Sequence, residues 1–225
     1  VVLRWDTPGS RVLAEDFIRA AAAWKPEWLR ALKAVEDASR IKVTRFLGRG
    51  RSSRVVAGKA EDGQEVALKV AFNAGLQLQR VNDLQREFDI VSHLTCRAPA
   101  KPWISAKKFY RVDSGWGHAC AAYSMDLGGA CLWTEWQKHK TQSSLQPLWN
   151  AAWIALQQLH TEGFVHGDAR IPNLVLHDRQ WRWIDFREPL SMANDCKLLI
   201  ASFFVQSYDT PHAEIDAFCK EYASG

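Results

Sequence analysis

The sequence lacks the features that mark membrane proteins, disulfide-rich proteins and zinc proteins. It has no run of about 18 apolar residues, so we expect no transmembrane helix. Its five cysteines are odd in number, form no Cys-x-x-Cys pair and join no histidines at zinc-ligand spacing. We therefore expect free thiols in a reducing, intracellular compartment.

The chain also lacks a strong excess of either positive or negative charge. The 225 residues include 29 Lys and Arg against 25 Asp and Glu, which gives a formal net charge of +4. This mild excess suits anionic ligands such as nucleotides and predicts neither a specific nucleic-acid partner nor a membrane partner. Hydrophobic residues make up 47% of a globular composition. The chain does not begin with Met, and we expect it to be part of a longer protein.

Hydrophobic patterning divides the chain into three parts. Residues 1–40 have helical periodicity and predict an N-terminal extension packed on the adjoining lobe. Residues 41–126 hold short β-branched runs and one helix, and residues 127–225 are mostly helical. The expected strands of the middle part are 43–47, 54–59, 65–72, 107–112 and 119–125, and the expected helices after residue 75 are 76–94, 145–160, 196–207 and 212–222. This order predicts an α+β fold with two unequal lobes and a cleft between them.

The strongest chemical signal lies between His166 and Asp185. Asp168 and Asn173, five residues apart, precede an apolar run of strand character, and Asp185 ends a second such run. Phosphoryl transfer from a magnesium nucleotide uses one carboxylate near the acceptor hydroxyl, with an amide and a second carboxylate near the metal. The segment supplies all three groups in a short stretch.

Two upstream motifs are typical of nucleotide binding. Glycine-rich residues 48–55 have a backbone that can approach phosphates closely. Lys69 lies inside a Val/Ala/Leu/Val strand, where a buried lysine needs a partner. Glu87, which adjoins Phe88 on the buried side of the expected helix, is the preferred partner, with Asp83 and Asp89 as alternatives in the same helix.

The pattern His-x-Asp-x-x-x-x-Asn followed by Asp-Phe resembles the catalytic centre of the protein-kinase-like superfamily. The resemblance implies that Asp168 accepts or orients the acceptor proton and that Arg170 contacts the transferred phosphate. It also implies that Asn173 and Asp185 bind Mg²⁺, and that Lys69 acts on the phosphates of ATP. The implied ATP-binding residues are Gly48, Gly50, Ser53, Val55, Ala67, Lys69 and Glu87. The implied fold is a small antiparallel β lobe with one helix, followed by a reduced helical lobe.

The chain departs from the protein-kinase pattern at three places. Gly167 replaces the arginine of His-Arg-Asp, and Arg187 replaces the glycine of Asp-Phe-Gly. Only nine residues separate Asp185 from Asp195, so the long activation segment is missing. We expect Asp195 either to support the backbone of the catalytic loop, as in relatives, or to cap its own helix.

These departures indicate which kinase families the chain resembles most, but they do not identify the molecule that accepts the phosphate. His-Gly-Asp is similar to aminoglycoside, choline and lipopolysaccharide-core kinases. The longer string His-Gly-Asp-Ala-Arg-Ile-Pro-Asn, with Asp-Phe-Arg, resembles the kinase-like domains of Crinkler-type effectors of oomycetes and fungi. That likeness implies a secreted parent protein that acts in the host cytoplasm or nucleus. The leading hypothesis is a Ser/Thr protein kinase, with its own chain among the candidate substrates. A small-molecule hydroxyl kinase and a non-catalytic nucleotide-binding module are the alternatives.

Overall fold

The fold is known from a computed structural model, which describes residues 26–49, 53–72, 79–97, 102–113, 119–139, 142–204 and 219–222. It is an α+β fold. The first helices and strands are α1 (Pro26–Ser39), β1 (Lys42–Arg49), β2 (Ser53–Lys59), β3 (Glu65–Phe72), α2 (Gln79–Arg97), β4 (Ala106–Asp113) and β5 (Ala119–Asp126). They are followed by α3 (Leu132–Lys138), α4 (Gln142–Thr161), a 3₁₀ turn (Ile171–Asn173), β6 (Leu174–His177), β7 (Gln180–Trp183) and α5 (Met192–Phe204). Among the described helices, none combines the length and apolar character needed to cross a membrane.

The five strands predicted between residues 43 and 125 are confirmed. They form one antiparallel sheet in the order β1-β2-β3-β5-β4. The predicted bounds of the third strand match β3, and the other four strands extend by one or two residues at one or both ends. The turn between β2 and β3 contains Gly63 at φ +86°, a conformation that favours glycine.

Alternation along β3 gives the sheet two different faces. Val66, Leu68, Val70 and Phe72 are buried in a core that includes Ala31, Leu32 and Val35 of α1. Lys69 lies on the other face, since successive side chains of a strand point to opposite sides. There Phe88 of α2 packs on Phe109 and Tyr123, with ring centroids 5.4 and 5.8 Å apart. Helix α1 thus covers one face of the sheet, and α2 packs on the face that carries Lys69.

The chain divides into two compact units. The first comprises residues up to 92 together with 105–127, and the second comprises 93–104 together with residues from 128 onward. In the second unit, β6 and β7 pair as a short hairpin. Trp183 at the end of β7 is fully buried, and its indole nitrogen donates to the carbonyl of Ala155 in α4 at 3.0 Å. This packing fixes the end of the hairpin from which Asp185 follows.

Both apolar helices predicted for the second unit are found, and each begins three or four residues earlier than expected. The helix expected at 145–160 is α4, and the apolar helix expected at 196–207 begins earlier, at Met192. Of the final helix expected at 212–222, only residues 219–222 are described, and these are helical. The rest of that prediction, and most of the extension at 1–40, lies outside the described residues.

Candidate functional site

The loop between α4 and β6, which carries Asp168 and Asn173, is anchored by a buried carboxylate from α5. Asp195 is fully buried, and its two oxygens accept the backbone N–H groups of His166 at 2.6 Å and Gly167 at 2.9 Å. His160 Nε2 lies 3.2 Å from Asp195 Oδ2. Asp195 lies in the first turn of α5 rather than before it, so the helix-cap alternative is wrong and the expected support of the loop is what the structure shows.

His166 holds the loop against the segment that carries Asp185. Its Nε2 lies 2.9 Å from the carbonyl of Ile184, and its Nδ1 accepts the backbone N–H of Asp168 at 3.1 Å. The ring is stacked on Phe186 at a centroid distance of 4.4 Å. Burial lowers the pKa of His166 to about 4, against opposing effects from nearby carboxylates. The imidazole is therefore neutral at pH 7, which suits its position between one acceptor and one donor.

Asp168, the predicted base, meets two guanidinium groups. Arg170 donates from Nε to Oδ1 at 2.6 Å and from Nη2 to Oδ2 at 2.8 Å, which is a bidentate pair. Arg187 Nε lies 3.3 Å from Oδ2. The side chain of Asp168 is 8% exposed, whereas those of Arg170 and Arg187 are 44% and 57% exposed. The hydrogen bond to Asp168 also raises the pKa of Arg170.

Asn173, a predicted metal ligand, is turned toward the loop by its amide nitrogen. Nδ2 donates to the backbone carbonyl of Asp168 at 2.9 Å, so the side-chain oxygen is the atom left for another ligand. The 3₁₀ turn Ile171–Asn173 carries Pro172 near its start, where a missing N–H costs little. The carbonyl of Asn173 accepts the N–H of Ile184 at 2.9 Å. That bond ties the loop to the residue just before Asp185.

Asp185, the second predicted metal ligand, has an unusual backbone. Its φ is +63°, in the left-handed region that costs a non-glycine residue of order 1–3 kcal/mol. Hydrogen bonds on either side hold the chain there: Ile184 N–H donates to Asn173, and Arg187 N–H donates to His166 at 3.0 Å. The structure thus brings Asp168, Asn173 and Asp185 together on one bonded framework.

Asn173 and Asp185 could offer a metal ion one amide oxygen and one carboxylate. Within the described ranges, no group of three or more His, Cys, Asp or Glu side chains could hold a metal ion. Magnesium is usually held by one or two protein oxygens, with phosphates and water completing its coordination. The amide oxygen of Asn173 and the carboxylate of Asp185 match that requirement.

The first unit pairs Lys69 with Glu87, as predicted. Lys69 Nζ lies 2.6 Å from both carboxylate oxygens of Glu87, and the two side chains are 6% and 12% exposed. Tyr123 donates its hydroxyl to Glu87 Oε1 at 2.6 Å. Of the two alternatives, Asp83 is exposed and Asp89 accepts from Gln85 on the surface. Tyr123 had no signal in the sequence, because only the strand register places it opposite Lys69.

Strand register places the other predicted nucleotide residues beside Lys69. Val55 pairs directly with Lys69 and with Gly48, and directly paired residues share a face of the sheet. Ser53 and Ala67 lie two residues from members of that pair, hence on the same face. A Cβ on Gly48 would meet no atom within 4 Å, so space above this strand is open. Gly50 lies outside the described residues.

Comparison with known proteins leaves the function to be argued from these residues. No protein-family model matches the chain, and no curated protein is significantly similar to it.

Proposed function

We propose that this protein is an ATP- and Mg²⁺-dependent phosphotransferase with a two-lobed, protein-kinase-like fold, acting on Ser or Thr hydroxyls of a protein. The observation that carries the proposal is the framework of Asp168, Asn173 and Asp185, held by Asp195 and His166. Phosphoryl transfer depends on positioning and charge more than on covalent chemistry by the protein. A rigidly bonded loop with these three groups supplies both.

Four residues of the second unit have a role in the proposed reaction. The acceptor hydroxyl oxygen forms a bond to the γ-phosphorus, the bond to the bridging oxygen breaks, and ADP leaves. Asp168 orients the hydroxyl and takes its proton. Arg170 holds the Asp168 carboxylate in a fixed direction through its bidentate contact, with its remaining N–H groups available to the phosphate. Asn173 and Asp185 would hold Mg²⁺, which supplies charge neutralisation on the phosphates when bound.

The first unit supports nucleotide binding. A lysine buried at 6% exposure is costly unless it is paired, and Glu87 with Tyr123 holds it at a fixed position. In the proposed function Lys69 binds the phosphates of ATP, as kinase lysines do. Gly48, Ser53, Val55 and Ala67 line the same face of the sheet and belong to the proposed nucleotide site.

One observation favours a small-molecule hydroxyl kinase as the second candidate. Helix α5 begins at Met192, seven residues after Asp185, which leaves little chain for the platform on which protein kinases bind peptides. The likeness to Crinkler-type effector domains, which implies action in a host cell, stays a prediction on the residues that suggested it.

The test is transfer from labelled ATP. With Mg²⁺, the protein should label itself, a generic protein or a hydroxylated small molecule, and Mg-ATP should raise its melting temperature. Asp168→Asn should abolish transfer while the melting shift persists. Asp178→Asn makes the same chemical change in the exposed β6–β7 turn and should keep both properties. No transfer to any acceptor, with no melting shift, would contradict the proposal, and a shift without transfer would favour a non-catalytic nucleotide-binding module.

A further inference from the structure

Two arginines share one carboxylate at the loop, and they do so unequally. Arg170 uses two nitrogens on Asp168 at 2.6 and 2.8 Å, whereas Arg187 makes a single contact at 3.3 Å. A single long contact is weaker than a short bidentate pair. Arg170 alone already neutralises Asp168, so the pairing of charges does not require Arg187.

The backbone of Arg187 is fixed while its side chain is largely free. Arg187 N–H donates to the carbonyl of His166, and the carbonyl of Arg187 lies against Gly167. The side chain is 57% exposed, and its one ion pair with a described residue is the contact with Asp168. The guanidinium of Arg187 can therefore move away from Asp168 while its Cα stays in place. It then remains within the length of one side chain of the Asp168 carboxylate.

An acceptor hydroxyl that binds Asp168 competes with the arginines for the carboxylate oxygens. Oδ2 of Asp168 lies near both arginines, whereas Oδ1 accepts only from Arg170 among the described residues. A hydroxyl that donates to Oδ2 replaces the 3.3 Å contact of Arg187 most easily. The displaced guanidinium keeps its charge and its planar fork of donors, which matches carboxylate and phosphate oxygens. A neutral acceptor offers it no such partner, and a cationic acceptor meets it with repulsion.

We propose that Arg187 determines acceptor specificity by binding an anionic group, carboxylate or phosphate, next to the hydroxyl that is phosphorylated. This inference rests on the proposed phosphotransferase function and adds the class of acceptor. Arg187 stands where Asp-Phe is followed by glycine in protein kinases, so the chain gains a charged side chain at a position that otherwise carries none.

The experiment compares matched acceptors with and without the anion. One pair is a Ser peptide flanked by Glu against the same peptide flanked by Gln, and the other is glycerol 3-phosphate against glycerol. Loss of a charge-assisted hydrogen bond changes binding by about tenfold or more. The wild-type protein should therefore prefer the anionic member of the pair that it uses by about tenfold in kcat/KM, chiefly through KM.

Variants assign that preference to Arg187. In Arg187→Gln the ratio between the anionic and neutral members should fall close to one, and Arg187→Lys should retain part of it. Arg179→Gln removes the same charge from an exposed turn of the same unit and should leave the ratio unchanged. If Arg187→Gln does not fold, the wild-type ratio still reports, because it should decline as ionic strength rises from ~0.05 to ~0.5 M.

The outcomes separate this inference from the function on which it rests. Equal kcat/KM for the two members of each pair overturns the role of Arg187 and leaves the phosphotransferase proposal standing. A preference that survives Arg187→Gln also overturns it. Transfer to no member of either pair, and no labelling of the protein itself, overturns the phosphotransferase proposal and the inference together. Which pair is used tells a peptide acceptor from a small molecule.

Discussion

A Cβ atom on Gly167 would lie 2.7 Å from the carbonyl oxygen of Arg187 and equally close to that of Glu188. Gly167 also has φ +80°, which L side chains rarely adopt. In His-Arg-Asp motifs this position holds an arginine. Here the segment after Asp185 passes directly over it, and no side chain fits. Glycine at position 167 therefore has a structural cause, which is the close approach of the backbone of residues 187 and 188.

Gly167→Ala tests that approach. We expect a loss of ~2–4 kcal/mol in the free energy of unfolding, because a strained backbone and a contact with two carbonyls add together. Transfer activity should fall as well, since the loop must move to accept the methyl group. Urea unfolding followed by tryptophan fluorescence measures the first effect.

Gly163→Ala is the matched control for Gly167→Ala. Gly163 has the same φ of +80°, but a Cβ there would meet nothing within 4 Å. Its substitution should cost only ~1 kcal/mol, the backbone part alone. Equal losses for the two variants would show that the contact with residues 187 and 188 does not matter.

His166 should make stability depend on pH in mild acid. The unfolded chain takes up a proton near the ordinary pKa of 6.5, and the folded protein only at a pKa of about 4. Between these values the unfolded state binds more protons, so the free energy of unfolding falls as pH drops from 6.5 to 4, by up to ~3 kcal/mol. Above pH 6.5 the histidine contributes no slope.

His166→Gln should flatten that slope, because Gln can bond Ile184 and Asp168 but cannot be protonated. Unfolding free energies at several pH values between 4 and 7 give the comparison. His93→Gln, at an exposed position of α2, should keep the wild-type slope. A slope unchanged in His166→Gln would mean that another group carries the acid sensitivity.

Asp185 should show a conflict between stability and function. In Asp185→Gly the strain of φ +63° is relieved, so we expect equal or higher stability, by up to ~1 kcal/mol, together with loss of the Mg-ATP melting shift. Arg179→Gly is the control, since Arg179 has the same φ of +63° in an exposed turn. It should gain stability and retain the shift. Retention of the shift in Asp185→Gly would refute the metal assignment.

The buried pair of Lys69 and Glu87 should respond unlike a surface pair. Lys69→Met leaves the Glu87 carboxylate buried without its cation, which should cost ~3–5 kcal/mol. Adding Glu87→Gln should recover part of that loss, because Gln removes the charge and still accepts from Tyr123. Neither variant should show the Mg-ATP melting shift.

Lys33 and Asp37 supply the surface comparison for that experiment. They are 2.8 Å apart and exposed on α1, so Lys33→Met should lower the free energy of unfolding far less than Lys69→Met does. A loss in Lys69→Met no larger than this would mean that the buried pair is not held as the geometry implies.

Much of the first unit could be predicted because its signals are local. The alternation of β3 depends on neighbouring residues only, and the match of its bounds reflects a strand buried on both faces. The pairing of Lys69 with Glu87 came from a resemblance at a spacing of 18 residues. Tyr123 could not be found in this way, since it meets Glu87 from 36 residues away through strand order.

The features of the loop between α4 and β6 could likewise be predicted only in part. The residue types and spacing of Asp168, Asn173 and Asp185 stand in the sequence. Support of the loop was one of two alternatives for Asp195, and only the packing of α5, which brings Asp195 to His166 across 29 positions, decides between them. The contact of Arg187 with Asp168 was equally hidden, because it depends on the left-handed turn at Asp185.

The chemical groups that this protein offers could be found in the amino-acid sequence: a lysine inside an apolar strand, and the carboxylates and amide of Asp168, Asn173 and Asp185. Those are matters of residue type, local periodicity and short spacing. Which of these groups are fixed by other side chains became known from the folded chain alone. The reason is that hydrogen bonds and close approaches between distant segments, such as Asp195 with Gly167 and Gly167 with Arg187, arise from packing that no local pattern encodes.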